Sequence, residues 1–256
     1  MLRTLCMFFL LLCLSAPAQA RTLTVVSLES PPYAFRLGDE ITGMLCEVVR
    51  EGLRRMDLDV RFELVPWTRA MQMVRFGDAD AVFYVIPTPE RSAFLHFSRE
   101  PLVTEATIAL RKKGGGAAVD REFSNARIIS LGVGRGFYYG PRLEGLLATR
   151  PFKKKEAAPG YEINLRKLLG GRIDIMLADR GPAAYFLRKK GMFDDVEPVT
   201  DASGKVIIFD SVKSYLAFSR QTTDPDMAEE FGEKLVEMRR DGAFAAIEGK
   251  YTDKGD

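Results

Sequence analysis

Between Leu23 and Ile86 the apolar residues switch repeatedly between strand and helix periods, and this alternation restricts the possible folds more than any other feature. Leu23–Ser27 (LTVVS) is a short β-branched run ended by Pro31-Pro32, and Gly38-Asp39 marks a turn. From Met44, apolar residues recur at Leu45, Val48, Val49, Leu53 and Met56, which is helical spacing with a charged opposite face. Val60–Val65 alternates as a strand, Pro66 stops it, and Thr68 is the predicted N-cap of a helix carrying Ala70, Met71, Val74 and Phe76. After the Gly77-Asp78 break, Ala81–Ile86 is continuously apolar, as suits a parallel strand buried on both faces. The order β-α-β-α-β predicts a parallel sheet with crossover helices.

The pattern restarts after Lys112-Lys113-Gly114-Gly115-Gly116, a predicted loop or linker. Strands are predicted at Arg127–Val133, Ile173–Leu177, Val206–Phe209 and Tyr215–Ser219. Helices are predicted near Leu143–Ala148, at Ile163–Leu169, from Pro182 to Lys189, at Pro225–Arg240 and at Ala243–Ile247. Two α/β units meeting near residue 110 are therefore expected.

The N-terminus reads as an export signal. Arg3 precedes the apolar run Leu5–Leu14, and Ala18-Gln19-Ala20 is a small-residue cleavage site. The run is too short to span a bilayer, which takes roughly 20 apolar residues. Residues 1–20 are expected to be removed after Ala20, leaving a periplasmic product that begins at Arg21. Large residues precede Cys13, which argues against lipid attachment there. With the leader gone, Cys46 is the remaining cysteine, so no intramolecular disulfide is expected. One histidine and one cysteine do not make the usual zinc site, and no cofactor or metal is expected. The chain carries 37 basic and 35 acidic residues without a basic block, which argues against a nucleic-acid partner.

Several segments together resemble the extracellular solute-binding protein family 3, which includes the polar amino acid receptors of ABC importers. They are Leu23–Phe35 (LTVVSLESPPYAF), Thr42-Gly43 opening a helix, and Pro66-Trp67-Thr68-Arg69-Ala70. Gly77–Ser98 (GDADAVFYVIPTPERSAFLHFS), Gly171–Ala184 (GRIDIMLADRGPAA) and Tyr215–Ser219 (YLAFS) extend the resemblance over the rest of the chain in the family's order. It implies a periplasmic-binding-protein-like α/β fold, with two lobes joined by a two-segment hinge around a ligand cleft. Lobe 1 would comprise residues 21–103 and 212–256, and lobe 2 residues 104–211. A monomer is expected, with a small-molecule solute as its ligand and an inner-membrane ABC permease or sensor as its membrane partner. The Pro-Trp-x-Arg segment is similar to a branch whose members often lack a paired importer.

Candidate site residues follow from position and from the resemblance. Arg91 stands just past a buried strand, and its planar fork of donors suits a carboxylate. The bland alternative is an ion pair with Glu90 or Asp78. The resemblance implies that Arg91 holds a ligand carboxylate and that Asp179 holds a ligand ammonium. By position alone, Asp179 also reads as a helix N-cap. Tyr33 and Trp67 lie in loops after strands, where aromatic faces offer apolar contact and attract cations. Glu29, at the end of the first strand, either meets a cationic group or is solvated. The resemblance places Gly136 and Phe137, in the glycine-rich turn Gly132–Gly140, along the cleft. Where amino acid receptors of the family carry Gly and Thr or Ser, this chain has Tyr84 and Ile86. Tyr84 offers a hydroxyl there and Ile86 does not, which implies a carboxylate site altered from the usual one. Lone His96 and Cys46 read as structural. The expected function is solute binding without chemistry. The alternative is an enzyme on the same fold, such as a cyclohexadienyl-type dehydratase using Glu29 or Asp179 as a general acid.

Overall fold

The computed structural model describes residues 21–115, 119–190 and 195–252, and the expected signal segment 1–20 lies outside them. The chain opens with strand β1 (Thr22–Ser27), a hairpin of β2 (Phe35–Leu37) and β3 (Glu40–Thr42), helix α1 (Met44–Arg54), β4 (Asp59–Leu64), α2 (Trp67–Phe76) and β5 (Ala81–Val85). β1 pairs in parallel with β4 on one side and β5 on the other, as the alternation predicts. Helix α1 buries Leu45, Val48, Val49 and Leu53, while Glu51, Arg54 and Arg55 pair on its outer face.

A short helix α3 (Pro89–Ser92) and β6 (Leu95–Phe97) lead into the long β7 (Val103–Lys112). Beyond the linker come β8 (Ser130–Gly134), α4 (Pro141–Thr149), β9 (Lys154–Ala158), α5 (Tyr161–Leu169), β10 (Ile175–Asp179), α6 (Arg180–Lys190) and β11 (Val196–Pro198). The chain returns through β12 (Asp210–Ser219) and ends in α7 (Pro225–Arg240) and α8 (Ala243–Thr252). The strand order is β4-β1-β5-β12-β7-β10-β8-β9.

The middle of that order joins two halves with separate cores. One buried cluster packs β1, β5, α1, α2 and α7. Two further clusters lie around β7, β8 and β10, one holding Phe123, Leu131 and Phe209, the other Ile108, Leu165 and Met176. Strand β12 serves both halves. Its residues Asp210–Ser214 pair with β7, whereas Tyr215–Phe218 pair with β5, and within the β5 ladder the register shifts between Tyr215 and Leu216.

Three local expectations change, and one strand was not expected. Pro66, not Thr68, precedes the first residue of α2, because Trp67 already turns helical behind the fixed proline. A 3₁₀ turn at Ala126–Ile128 replaces the start of the strand expected at Arg127. Val206–Phe209 forms no ladder, because its amides go to different partners: Ile207 N–H donates to Val199 O and Phe209 N–H to Thr107 O. β9 is a strand despite its sequence KKEAA, since an edge strand tolerates charge on its open side. Its inward Glu156 is held by Lys167 and Arg172.

The loop that carries Tyr33 is pinned by the start of α1. Met44 N–H donates to Pro32 O at 2.9 Å and Leu45 N–H to Tyr33 O at 3.0 Å. Gly43 makes this approach possible: its φ is +129°, and a Cβ there would sit 2.4 Å from Tyr33 O. Gly43→Ala is expected to destabilise the protein by about 1–3 kcal/mol or more, since both the backbone strain and the clash fall on main-chain atoms. Urea unfolding with a midpoint equal to wild type would show that the loop yields instead.

Candidate functional site

Strand register assembles the centre of the site. Asp179 ends β10 opposite Thr107 of β7. Residues two apart in a strand share a face, so Glu105, Thr107 and Asp179 form one polar patch. Asp179 is 4% exposed; its Oδ1 accepts the Ala106 N–H at 2.9 Å, and its Oδ2 accepts the Tyr84 hydroxyl at 2.8 Å. Burial raises its pKa above the usual carboxylate range, and the Tyr84 hydroxyl and the Ala106 amide oppose that rise. Glu105 is pushed up further, first by burial and then by the neighbouring charge of Asp179.

Arg91 enters the same cavity from the other half. Thr88 caps α3 by accepting the Arg91 N–H at 3.2 Å, and Pro89 occupies the first turn. This tight turn folds the arginine back toward the end of β5. Its Nη1 donates to Ile86 O at 2.8 Å, and its Nη2 reaches across to Gly136 O at 3.2 Å. The guanidinium carbon stands 5.5 Å from the Trp67 ring centre, within cation–π range. Arg91 is 9% exposed, and burial lowers its pKa. It pairs with neither Glu90 nor Asp78; Glu90 faces Arg75 instead.

Aromatic side chains wall the cavity. Trp67 Nε1 donates to the same Gly136 carbonyl at 3.0 Å, and Phe137 meets Trp67 edge-on with ring centres 6.5 Å apart. Gly136 has φ +73°, which turns its carbonyl toward both donors without a steric cost. Tyr84 also has positive φ, +63°, a conformation rare for a bulky residue. Such backbone strain costs on the order of 1–3 kcal/mol and persists only where the surroundings enforce it. Here the enforcement is the Asp179 bond and the Tyr33 ring, 5.2 Å away centre to centre. Burial raises the Tyr33 and Tyr84 hydroxyl pKa values, so both remain neutral donors.

The inner cavity holds about 30 Å³ and is lined by Trp67, Tyr84, Arg91, Glu105, Phe137 and Asp179, among others. An outer recess of about 480 Å³ shares Leu28 and Tyr161 with it. That recess lies between the two halves and is rimmed by Pro31, Phe35, Pro66, Pro159 and Tyr185. Glu29 stands exposed on this rim and does not line the inner cavity. A third recess of about 780 Å³, bordered by Asp120, Thr200 and Lys205, contains none of the candidate residues. Among the described residues no group of histidine, cysteine, aspartate or glutamate side chains is arranged to hold a metal.

The family profile of the bacterial extracellular solute-binding proteins, family 3, matches residues 23–254. The chain belongs to that family. Its members are extracellular solute-binding proteins. No curated protein matches the chain. Among solved structures, an ancestral arginine-binding protein bound to arginine is similar at TM-score 0.76 and 18% identity, over 90% of this chain and 97% of that one. A histidine kinase sensor domain with similarity to periplasmic binding proteins gives 0.76 and 20%, over 91% and 95%. An ancestral amino acid-binding protein described as a precursor of cyclohexadienyl dehydratase gives 0.72 and 21%, over 90% and 94%. At these identities the likeness shows the two-lobed fold.

The sequence reading left out Glu105, Thr107, Tyr138, Tyr139 and Tyr161, all of which line the inner cavity of this family member. The available signal for Glu105 was a lone carboxylate inside the β-type run Val103–Leu110, but its neighbour Asp179 is set only by cross-strand pairing. Tyr84→Phe removes one bond to a buried carboxyl and is expected to cost about 1–3 kcal/mol in urea unfolding. A loss below about 0.5 kcal/mol would mean that Asp179 finds another donor. The raised carboxyl pKa values also set a pH sign. Glu105 binds its proton more tightly folded than unfolded, so its contribution to stability declines as pH rises above the ordinary carboxylate range. Wild type should therefore lose stability relative to Glu105→Gln as pH rises above the ordinary carboxylate range. A pH-independent difference between the two would contradict this.

Proposed function

We propose that this protein captures a small polar solute, an amino acid or a related carboxylate-bearing amine, in the periplasm. It releases that solute to an inner-membrane ABC permease or presents it to a membrane sensor. The observation that carries this reading is that Arg91 and Asp179, of opposite charge and both buried, line one cavity between the two halves. Arg91 uses two donors on backbone carbonyls and keeps further donors for a carboxylate. Asp179 takes the ammonium. Trp67, Tyr84 and Phe137 form the wall, Tyr33 supports it by packing on Tyr84, the Gly136 carbonyl holds Arg91 and Trp67 in place, and Glu29 guards the rim.

An amino acid needs more room than the inner cavity offers, so capture requires the lobes to part and close again. The hinge of this motion lies where β7 and β12 pass between the lobes, with 21–103 and 212–256 on one side and 104–211 on the other. This reading is supported by the change of partner along β12. Binding without chemistry is favoured over dehydration, because Glu29, one of the two acids an enzyme would use, stands away from the inner cavity. The mature protein is a monomer that begins at Arg21.

A thermal-shift screen of polar amino acids, amines and organic acids is expected to give a saturable stabilisation. For the best ligand, Arg91→Ala is expected to lose about 2–5 kcal/mol of binding, roughly 30-fold or more. No shift from any compound at millimolar concentration would sink the proposal, as would an Arg91→Ala variant that binds normally.

A further inference from the structure

The charges in the inner cavity do not balance around a ligand with one carboxylate and one ammonium. Arg91 supplies one positive group, and Glu105 and Asp179 supply two carboxyls. Asp179 is already held by the Tyr84 hydroxyl and the Ala106 amide. Glu105 is different: its Oε1 is buried and has no hydrogen-bond partner. The nearby Ser214 and Tyr84 hydroxyls favour the charged carboxyl, but neither satisfies Oε1, and Ser214 Oγ is itself unpartnered. A buried acceptor left unpaired costs roughly 1–3 kcal/mol, and β7 carries this one into the site.

Building on the solute-binding reading above, we propose that Glu105 is a second anionic anchor, selecting a solute with one carboxylate and two cationic groups, as in a dibasic amino acid. Arg91 meets the carboxylate, Asp179 the α-ammonium, and Glu105 the side-chain cation. Position supports the assignment. Glu105 pairs opposite Val212 in the strand pair that joins the two halves, two residues from Thr107, which faces Asp179.

The anchor is coupled to a proton. The titratable and charged groups around Glu105 are Asp179, Arg91, Tyr33, Tyr84, Tyr139 and Tyr161. The tyrosines are kept neutral by burial, and the Asp179 charge disfavours a second anion beside it. Glu105 therefore holds a proton without ligand. An arriving cation stabilises the carboxylate, and the proton leaves to solvent. Affinity for a dibasic solute should rise with pH as that proton becomes easier to release.

The experiment uses the mature chain, wild type and Glu105→Gln, titrated calorimetrically with L-arginine, L-lysine and L-glutamine. Titrations are run in two buffers of unequal ionisation enthalpy. Wild type is expected to prefer the two dibasic amino acids over L-glutamine by at least about tenfold. It should also release close to one proton per ligand bound. Glu105→Gln should lose most of that preference. Should that variant fail to fold, the proton release measured on wild type decides alone. L-glutamine binding as tightly as L-arginine, a preference that persists in Glu105→Gln, or buffer-independent heats overturn this inference and leave the solute-binding reading intact. Failure of all three amino acids to bind overturns the amino acid reading and this inference together.

Discussion

The antiparallel pairing of Val103–Thr107 with Asp210–Ser214 is the interaction on which the rest of the molecule depends. It joins two sheets that otherwise have separate cores and makes one strand pair common to both. Strand β12 changes partner from β7 to β5 between Ser214 and Tyr215, and the register shifts one residue later.

The same ladder fixes the electrostatics of the cleft. Once β10 lies beside β7 in the observed register, Asp179 must face Thr107, and Glu105 follows two residues away on the same side. Two carboxyls in a space of low polarity raise one another's pKa, and a neutral acid is cheaper there than a second charge. Arg91 offsets part of this from the opposite wall, with its own burial relieved by the Ile86 and Gly136 carbonyls and the Trp67 face. The Gly136 carbonyl serves Arg91 and Trp67 together, so the glycine-rich turn acts as an acceptor at the closed face of the cleft.

Tyr84 ties backbone strain to the inner cavity. Its left-handed backbone costs free energy that the Asp179 bond and the Tyr33 ring offset. The Tyr33 loop in turn rests on the amides at the start of α1, reached only because Gly43 brings the two backbones together. The hydroxyl that shields Asp179 therefore depends on a chain of contacts that begins in the buried cluster around α1.

The sequence by itself determined the parallel β1–β4–β5 unit, because strand and helix periods alternate there without interruption. It also singled out Trp67, Arg91 and Asp179, each just past a recognisable strand, and the fold brings all three to one cavity. Strands such as β9 escaped notice because an edge strand can be mostly charged, and Val206–Phe209 misled because apolar β-type residues also line loops. Only the tertiary structure decided that Glu105 stands beside Asp179, that Arg91 spans the cleft to Gly136, and that Glu29 remains on the rim. Local residue patterns encode period and turn chemistry. Which carboxyls meet is set by strand register between segments far apart in the chain, and no short-range pattern carries that information.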